Sequence, residues 1–150
     1  MTLRLLILNG PNLNLLGERE PEIYGATTLA EIEQSCRAFA AELDADLDFF
    51  QSNHEGVLVD RIQEARHATD ALIINPAGLS FQSVPLLDAL KIYPGPIVEV
   101  HISNIHARDK QHRHSLLSPA ASGVICGLGP HGYILAMQAA TNLANPNKEN

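Results

Sequence analysis

Glu99 and His101 stand two positions apart near the end of the apolar run Ile97-Val98-Glu99-Val100-His101-Ile102. Residues i and i+2 share one face of a strand. On a strand, Glu99 can therefore hold the imidazole's orientation and raise its proton affinity. The pair reads either as a structural histidine satisfied by its neighbour or as a catalytic acid, and the residues alone leave both open. A second candidate lies in Gly17-Glu18-Arg19-Glu20-Pro21-Glu22-Ile23-Tyr24-Gly25. A phenol, with an ordinary pKa of about 10, is a poor base at neutral pH unless a cation favours the phenolate. Arg19 supplies that cation if the segment folds over a site; the plainer reading is a tyrosine that anchors its loop on the core.

Other constellations carry less. Gly127-Leu128-Gly129-Pro130-His131-Gly132 is a literal G-x-G-x-x-G. A dinucleotide site needs a further strand and an acidic residue about 20 positions on. Only a helical stretch and a polar end follow here, so the glycines read as a tight turn from strand to helix. His101, His106, His112 and His114 match no zinc spacing and have no cysteine nearby; all but His101 read as exposed loop histidines beside Arg108, Lys110 and Arg113. The three lysines, Lys91, Lys110 and Lys148, lie off the apolar strands, which argues against Schiff-base chemistry, since that needs a desolvated amine. After the first strand there is neither an acidic cluster for a phospho-receiver nor a Ser/Thr-rich phosphate loop for a flavin.

The elements that must position these residues follow from composition and period. The 150 residues, 45% hydrophobic and 18% charged, suit one folded domain spanning 1–150. Ten Lys and Arg against seventeen Asp and Glu give a net charge of −7, which argues against a nucleic-acid surface. The longest apolar runs, Leu5–Leu8 and Tyr133–Met137, fall far short of the roughly 20 residues of a membrane span. With one early cation and only four apolar residues before Asn9-Gly10-Pro11, the N-terminus lacks a secretory h-region. The expected location is cytoplasmic, and Cys36 and Cys126 read as small buried apolar residues.

Strands are expected at Leu3–Leu8, Leu47–Gln51, Ala71–Pro76, Ile97–Ile102 and Gly123–Gly127. Thr28 and Glu31 form a capping-box signature. After it, Leu29, Ile32, Cys36, Phe39 and Leu43 recur at helical spacing. Further helices are expected from Glu55 to about His67, from Val84 to Ile92 and from Tyr133 to Ala144, with a fraying end from Asn145 to Asn150. Alternating strands and helices imply an α/β protein. The expected fold is a flavodoxin-like, doubly wound, five-stranded parallel sheet of order 2-1-3-4-5 in three α/β/α layers. Ligands of such sheets sit beyond the carboxyl ends of the strands, near the switch between strands one and three. Those ends carry Asn9-Gly10-Pro11-Asn12, Asn75-Pro76-Ala77-Gly78 and His101-Ile102-Ser103-Asn104, and the long connection from Asn9 to Thr27 leaves the same edge.

At these residues the chain resembles the type II 3-dehydroquinate dehydratases, from Leu5 to about Ala140. The strongest blocks are Asn9-Gly10-Pro11-Asn12-Leu13-Asn14-Leu15-Leu16-Gly17 and Arg19-Glu20-Pro21 with Tyr24-Gly25. Gln51-Ser52-Asn53, Glu99 through Asn104, His106-Ala107-Arg108 and Gly127-Leu128-Gly129 with Gly132-Tyr133 add to them. The resemblance implies a hydro-lyase of the shikimate or quinate pathway: anti elimination of water from 3-dehydroquinate through an enolate, giving 3-dehydroshikimate, with neither metal nor cofactor. It implies Tyr24 as base, Arg19 as the cation that keeps it ionised, and Asn12 as the residue positioning a water at the enolate oxygen. His101, oriented by Glu99, would be the acid. Asn75, Ile102, Ser103, Arg108, beside the lid, and His112 would bind substrate.

Three positions depart from the family's usual pattern. Phe81 stands where the family has a substrate-contacting histidine, Leu87 where it has an arginine before Asp88, and His112 where it has a substrate-binding arginine, with Arg113 adjacent. The expectation drawn from them is altered recognition of the ring hydroxyls. In the alternative reading they mark a divergent paralogue that binds a related carboxylated cyclic hydroxy-ketone with little catalysis or another preferred substrate. The resemblance further implies a homo-oligomer, a dodecamer of trimers, in which Asp88 reaches a neighbour's site.

Overall fold

The computed structural model describes residues 2–145. Beyond Asn145, the expected fraying concerns positions outside the described residues. Five strands, β1 (Leu3–Asn9), β2 (Ala45–Gln51), β3 (Ala71–Asn75), β4 (Ile97–His101) and β5 (Gly123–Cys126), pair in parallel in the order β2-β1-β3-β4-β5. Five helices connect and cover them: α1 (Pro21–Tyr24), α2 (Leu29–Glu42), α3 (Glu55–Ala68), α4 (Val84–Ile92) and α5 (His131–Ala144).

Alternation along the strands divides the core in two. Leu5, Ile7, Ile73, Val98 and Val100 pack against Ile32, Cys36 and Ala40 of α2 and Tyr133, Ala136, Met137 and Ala140 of α5. Leu6, Leu8, Leu72, Ile74 and Ile97 face Leu58, Ile62 and Ala65 of α3 and Leu86, Ala89 and Leu90 of α4. Each fully buried aliphatic side chain contributes about 1.5–3 kcal/mol relative to exposure, so both helix layers are bound to the sheet chiefly by this burial. β2 is an edge strand and reads differently from the others. Leu47 and Phe49 pack on the α2–α5 core while Asp46 and Asp48 are exposed, and Asp48 pairs with Arg61 of α3.

Local chemistry sets the helix ends. The Thr28 hydroxyl accepts from the Glu31 amide at 3.2 Å, so the forward bond of the capping box forms. Ser83 does the same for α4, accepting from the Leu86 amide at 3.1 Å. Several boundaries differ from the sequence expectation: β1 extends to Asn9, β2 begins at Ala45 and α5 begins at His131, while β3, β4 and β5 each end one residue early, at Asn75, His101 and Cys126. Asn9 continues the ladder, level with Gln51 on one side and Asn75 on the other. β2 starts early because pairing with β1 carries Ala45 and the charged Asp46. α5 starts at His131 because its first turn is built on Pro130, before any apolar period can show.

The connection from β1 to α2 is structured rather than open. A 3-10 turn at Leu13–Leu15 is followed by the single turn of α1, and Leu13 and Leu16 are buried in the α2–α5 core. Gly10 makes the first close approach. Its amide donates to the Asn75 carbonyl at 2.8 Å, and a Cβ there would lie 2.4 Å from the Pro76 carbonyl oxygen. The ends of β1 and β3 are thereby brought into direct contact, which fixes the floor of the carboxyl edge.

Candidate active site

At the carboxyl edge, Leu13, Arg19, Tyr24, Asn75, Ala77, Phe81, His101, Ile102, Ser103 and Arg108 line one cleft of about 380 Å³, counted with its open mouth. It spans the ends of β3 and β4 and is roofed by the segment that carries α1. Seven of the residues singled out from sequence therefore converge: Arg19, Tyr24, Asn75, His101, Ile102, Ser103 and Arg108.

Tyr24 is presented by a turn that is held at both ends. Pro21 occupies the first helical position, where its missing N–H is no loss. Gly25, at φ 79 and ψ −179, closes the turn through its amide to the Pro21 carbonyl at 2.7 Å. That backbone conformation is essentially restricted to glycine. The phenol sits between two guanidinium groups: Arg108 Nη1 donates to Tyr24 Oη at 2.9 Å, and Arg19 Cζ lies 4.8 Å from the ring centroid. Arg19 also pairs with Glu20 at 3.1 Å. The sequence pointed to Arg19 as the cation beside the phenol; the direct bond to the oxygen comes from Arg108.

His101 closes the opposite wall. Its Nε2 is hydrogen-bonded to Glu99 Oε2. The other carboxylate oxygen accepts from the Ser118 hydroxyl at 2.9 Å. Glu99 is 0% and His101 4% exposed. Burial alone would push the Glu99 carboxyl up; the His101 bond and charge and the serine hydroxyls together outweigh it and hold the carboxyl below its ordinary value. The side chain therefore stays ionised and fixes the imidazole. Ser118, on a 3-10 turn at Ser118–Ala120, was not singled out from sequence. Nothing in its local pattern marks it, because its partner lies on a strand 19 positions earlier.

The remaining site candidates lie around the cleft rather than in it. Asn12, exposed at φ 69, stands on the turn after β1, and its amide donates to Asn53 Oδ1 at 2.9 Å. Asn53 also accepts from Gln51 Nε2 at 3.1 Å, which gives Gln51-Ser52-Asn53 a role in holding that left-handed turn. Asp88 is exposed on α4, away from the cleft of its own chain. His112 binds the Asp109 carboxylate through Nδ1 at 2.8 Å and meets the edge of Phe81 with centroids 5.4 Å apart. It lines an adjoining basic basin with Lys110 and Arg113, and Phe81 is the wall shared by the two. Arg113 Nε donates to the Arg108 carbonyl.

The glycine-rich segment behaves as a turn. The Gly127 amide donates to the His101 carbonyl at 3.2 Å and the Gly129 amide to the Ile102 carbonyl at 3.0 Å, with both glycines at positive φ. It thus docks the start of α5 onto the end of β4 and steadies His101 and Ile102, two of the residues that line the cleft there.

The sequence matches the family described as Dehydroquinase class II over residues 3–141. A catabolic 3-dehydroquinase of Verticillium alfalfae is 54% identical over 140 residues, covering 93% of each chain. A 3-dehydroquinate dehydratase of Janthinobacterium sp. (strain Marseille) is 55% identical over 141 residues, 93% of this chain and 97% of its own. The crystal structure of a type II dehydroquinase from Butyrivibrio crossotus superposes with a TM-score of 0.91 at 36% identity, covering 93% of this chain and 98% of that one. The altered recognition expected from Phe81, Leu87 and His112 is not borne out. Leu87 is partly buried against the α3–α4 core, outside the cleft, and relatives of this identity keep the dehydratase name. Sheet order, cleft and sequence agree, and the chain belongs to the class II dehydroquinase family.

Proposed function

We propose that the protein removes water from 3-dehydroquinate to give 3-dehydroshikimate, with the base and the acid on opposite walls of the cleft. The observation that carries this reading is the bond from Arg108 to Tyr24 Oη in a cleft that also holds the Glu99–His101 pair. A weak carbon acid needs a base, a stabiliser for the oxyanion and a separate acid for the leaving group. Tyr24 takes the proton alpha to the ketone, with Arg108 bonded to its oxygen and Arg19 over its ring supplying the positive field. The electron pair moves onto the carbonyl oxygen as an enolate, where Asn12 positions a water. It then returns to form the carbon–carbon double bond as the hydroxyl leaves with a proton from His101. Asn75, Ser103, the backbone at Ile102, Arg108 and His112 receive the carboxylate and ring hydroxyls.

The same reading extends to assembly and location. Among the described residues no helix is long and apolar enough to cross a membrane, and a cytoplasmic enzyme fits a small polar substrate. Asp88, exposed on α4 and away from its own cleft, suits a role at a neighbour's site in a dodecamer of trimers. Light scattering giving a monomer would count against that assembly. Activity is tested by incubating the pure protein with 3-dehydroquinate and following the ultraviolet absorbance of the conjugated enone. Turnover by the wild type that is lost in Tyr24→Phe is the expected result. Absence of wild-type turnover, or undiminished turnover by the variant, overturns the assignment.

A further inference from the structure

Behind the cleft, three buried polar side chains form a directed chain of hydrogen bonds. Asn9 Nδ2 donates to the Phe50 carbonyl at 3.1 Å, Tyr133 Oη donates to Asn9 Oδ1 at 2.7 Å, and Asn75 Nδ2 donates to Tyr133 Oη at 2.8 Å. At the far end Asn75 Oδ1 accepts from the Ala77 amide at 3.2 Å. Asn9 and Tyr133 are 0% and Asn75 3% exposed, and of the three only Asn75 lines the cleft.

The direction of the chain is fixed by backbone groups at both ends. A carbonyl can only accept, so Phe50 dictates that Asn9 turns its nitrogen outward and its oxygen to Tyr133. The single phenolic proton is then committed to Asn9, and Tyr133 can only accept from Asn75. At the other end the Ala77 amide can only donate, so it takes the Asn75 oxygen and agrees with Tyr133 in turning the nitrogen toward the phenol. The second N–H of Asn75 is the donor that the network leaves at the cleft wall. Burial pushes the Tyr133 phenol up, so its proton stays in place across the working range.

We propose that Tyr133 is a positioning residue: its hydroxyl, together with the Ala77 amide, holds which way round the Asn75 amide faces the substrate, relaying a polarity fixed by the β2 backbone at Phe50. The inference rests on Asn75 being a substrate contact. Without the hydroxyl, the Asn75 nitrogen and the Asn9 oxygen both lose a buried partner, and the Asn75 amide is held by the Ala77 bond alone.

The test measures KM and kcat for 3-dehydroquinate. Tyr133→Phe raises KM about ten-fold with kcat changed by less than about two-fold, as expected for a contact made equally in ground and transition states. In an Asn75→Ala background the same substitution adds no further rise, because its effect passes through Asn75. Asn9→Leu leaves the Tyr133–Asn75 contact in place but frees the phenolic proton, and also raises KM; it carries the test if Tyr133→Phe does not fold. Unchanged KM in both variants, or a Tyr133→Phe effect that persists in full without Asn75, overturns the proposal. The side-chain amide of Asn75, followed by nitrogen-15 NMR, separates this inference from the functional reading. Wild type inactive on 3-dehydroquinate refutes the activity, whereas Asn75 protons equally protected in wild type and Tyr133→Phe refute the role of Tyr133.

Discussion

Arg108 Nη1 donates to Tyr24 Oη at 2.9 Å across 84 positions of sequence. The bond joins two segments that leave different strands: the connection after β1, which carries Tyr24, and the loop after β4, which carries Arg108. Arg19 adds its guanidinium 4.8 Å from the same ring without reaching the oxygen. The two arginines therefore differ in kind, one bound to the reacting atom and the other to the face of the ring.

Arg108→Ala should cost more than Arg19→Ala. A hydrogen bond to a charged group contributes about 1.5–3 kcal/mol, so kcat/KM should fall about ten- to hundred-fold in Arg108→Ala. Initial rates across a substrate series provide the measurement, and Arg108→Lys should recover only part of the loss because lysine lacks the planar fork.

Acid stability should depend on Glu99. Its carboxyl lies below the ordinary value of 4.5 in the folded chain, through His101 and Ser118, despite burial. A depressed carboxyl stabilises the fold fully above the unfolded value and ceases to do so as pH falls through the folded one. Denaturant titrations of wild type and Glu99→Gln should therefore differ most near neutral pH. The difference should shrink on the acid side of the ordinary value. At neutral pH, Ser118→Ala should lower kcat several-fold with KM unchanged, since it leaves one Glu99 oxygen without its 2.9 Å partner.

Gly10→Ala should destabilise the whole chain. Its Cβ would meet backbone rather than a movable side chain, 2.4 Å from the Pro76 oxygen. Overpacking of this kind costs about 1–3 kcal/mol, read as a lowered denaturation midpoint.

Gly25→Ala should instead spare global stability and reduce activity. Nothing lies within 4 Å of a Cβ there, yet φ is +79. The strain of about 1–3 kcal/mol falls on the turn that presents Tyr24. The expected outcome is a lower kcat with a denaturation midpoint close to that of the wild type.

Much of this arrangement was legible in sequence because it is local. Arg19 and Tyr24 share one loop, Glu99 and His101 share one strand face, and the apolar runs with their Gly-Pro punctuation gave the strands. The bond from Arg108 to Tyr24 depends on how two loops fold over one edge, which no spacing encodes. Ser118 and Tyr133 were hidden for a related reason. Ser118 is a polar residue in an irregular segment, and Tyr133 reads as the first apolar residue of a helix until register sets its hydroxyl between Asn9 and Asn75. The turn of α1 is a single turn, too short for any periodic signal.

The carboxylates of β2 have an effect beyond their own strand. An edge strand offers unpaired backbone to any other chain, and like charges along it oppose that pairing. Asp46 and Asp48 of this edge strand are exposed, Asp48 in its pair with Arg61, and Asp44 precedes them on the turn into it. Growth of the sheet from molecule to molecule is thereby discouraged at the β2 edge. The aspartates that break the apolar pattern of β2 thus act as a stop against polymerisation.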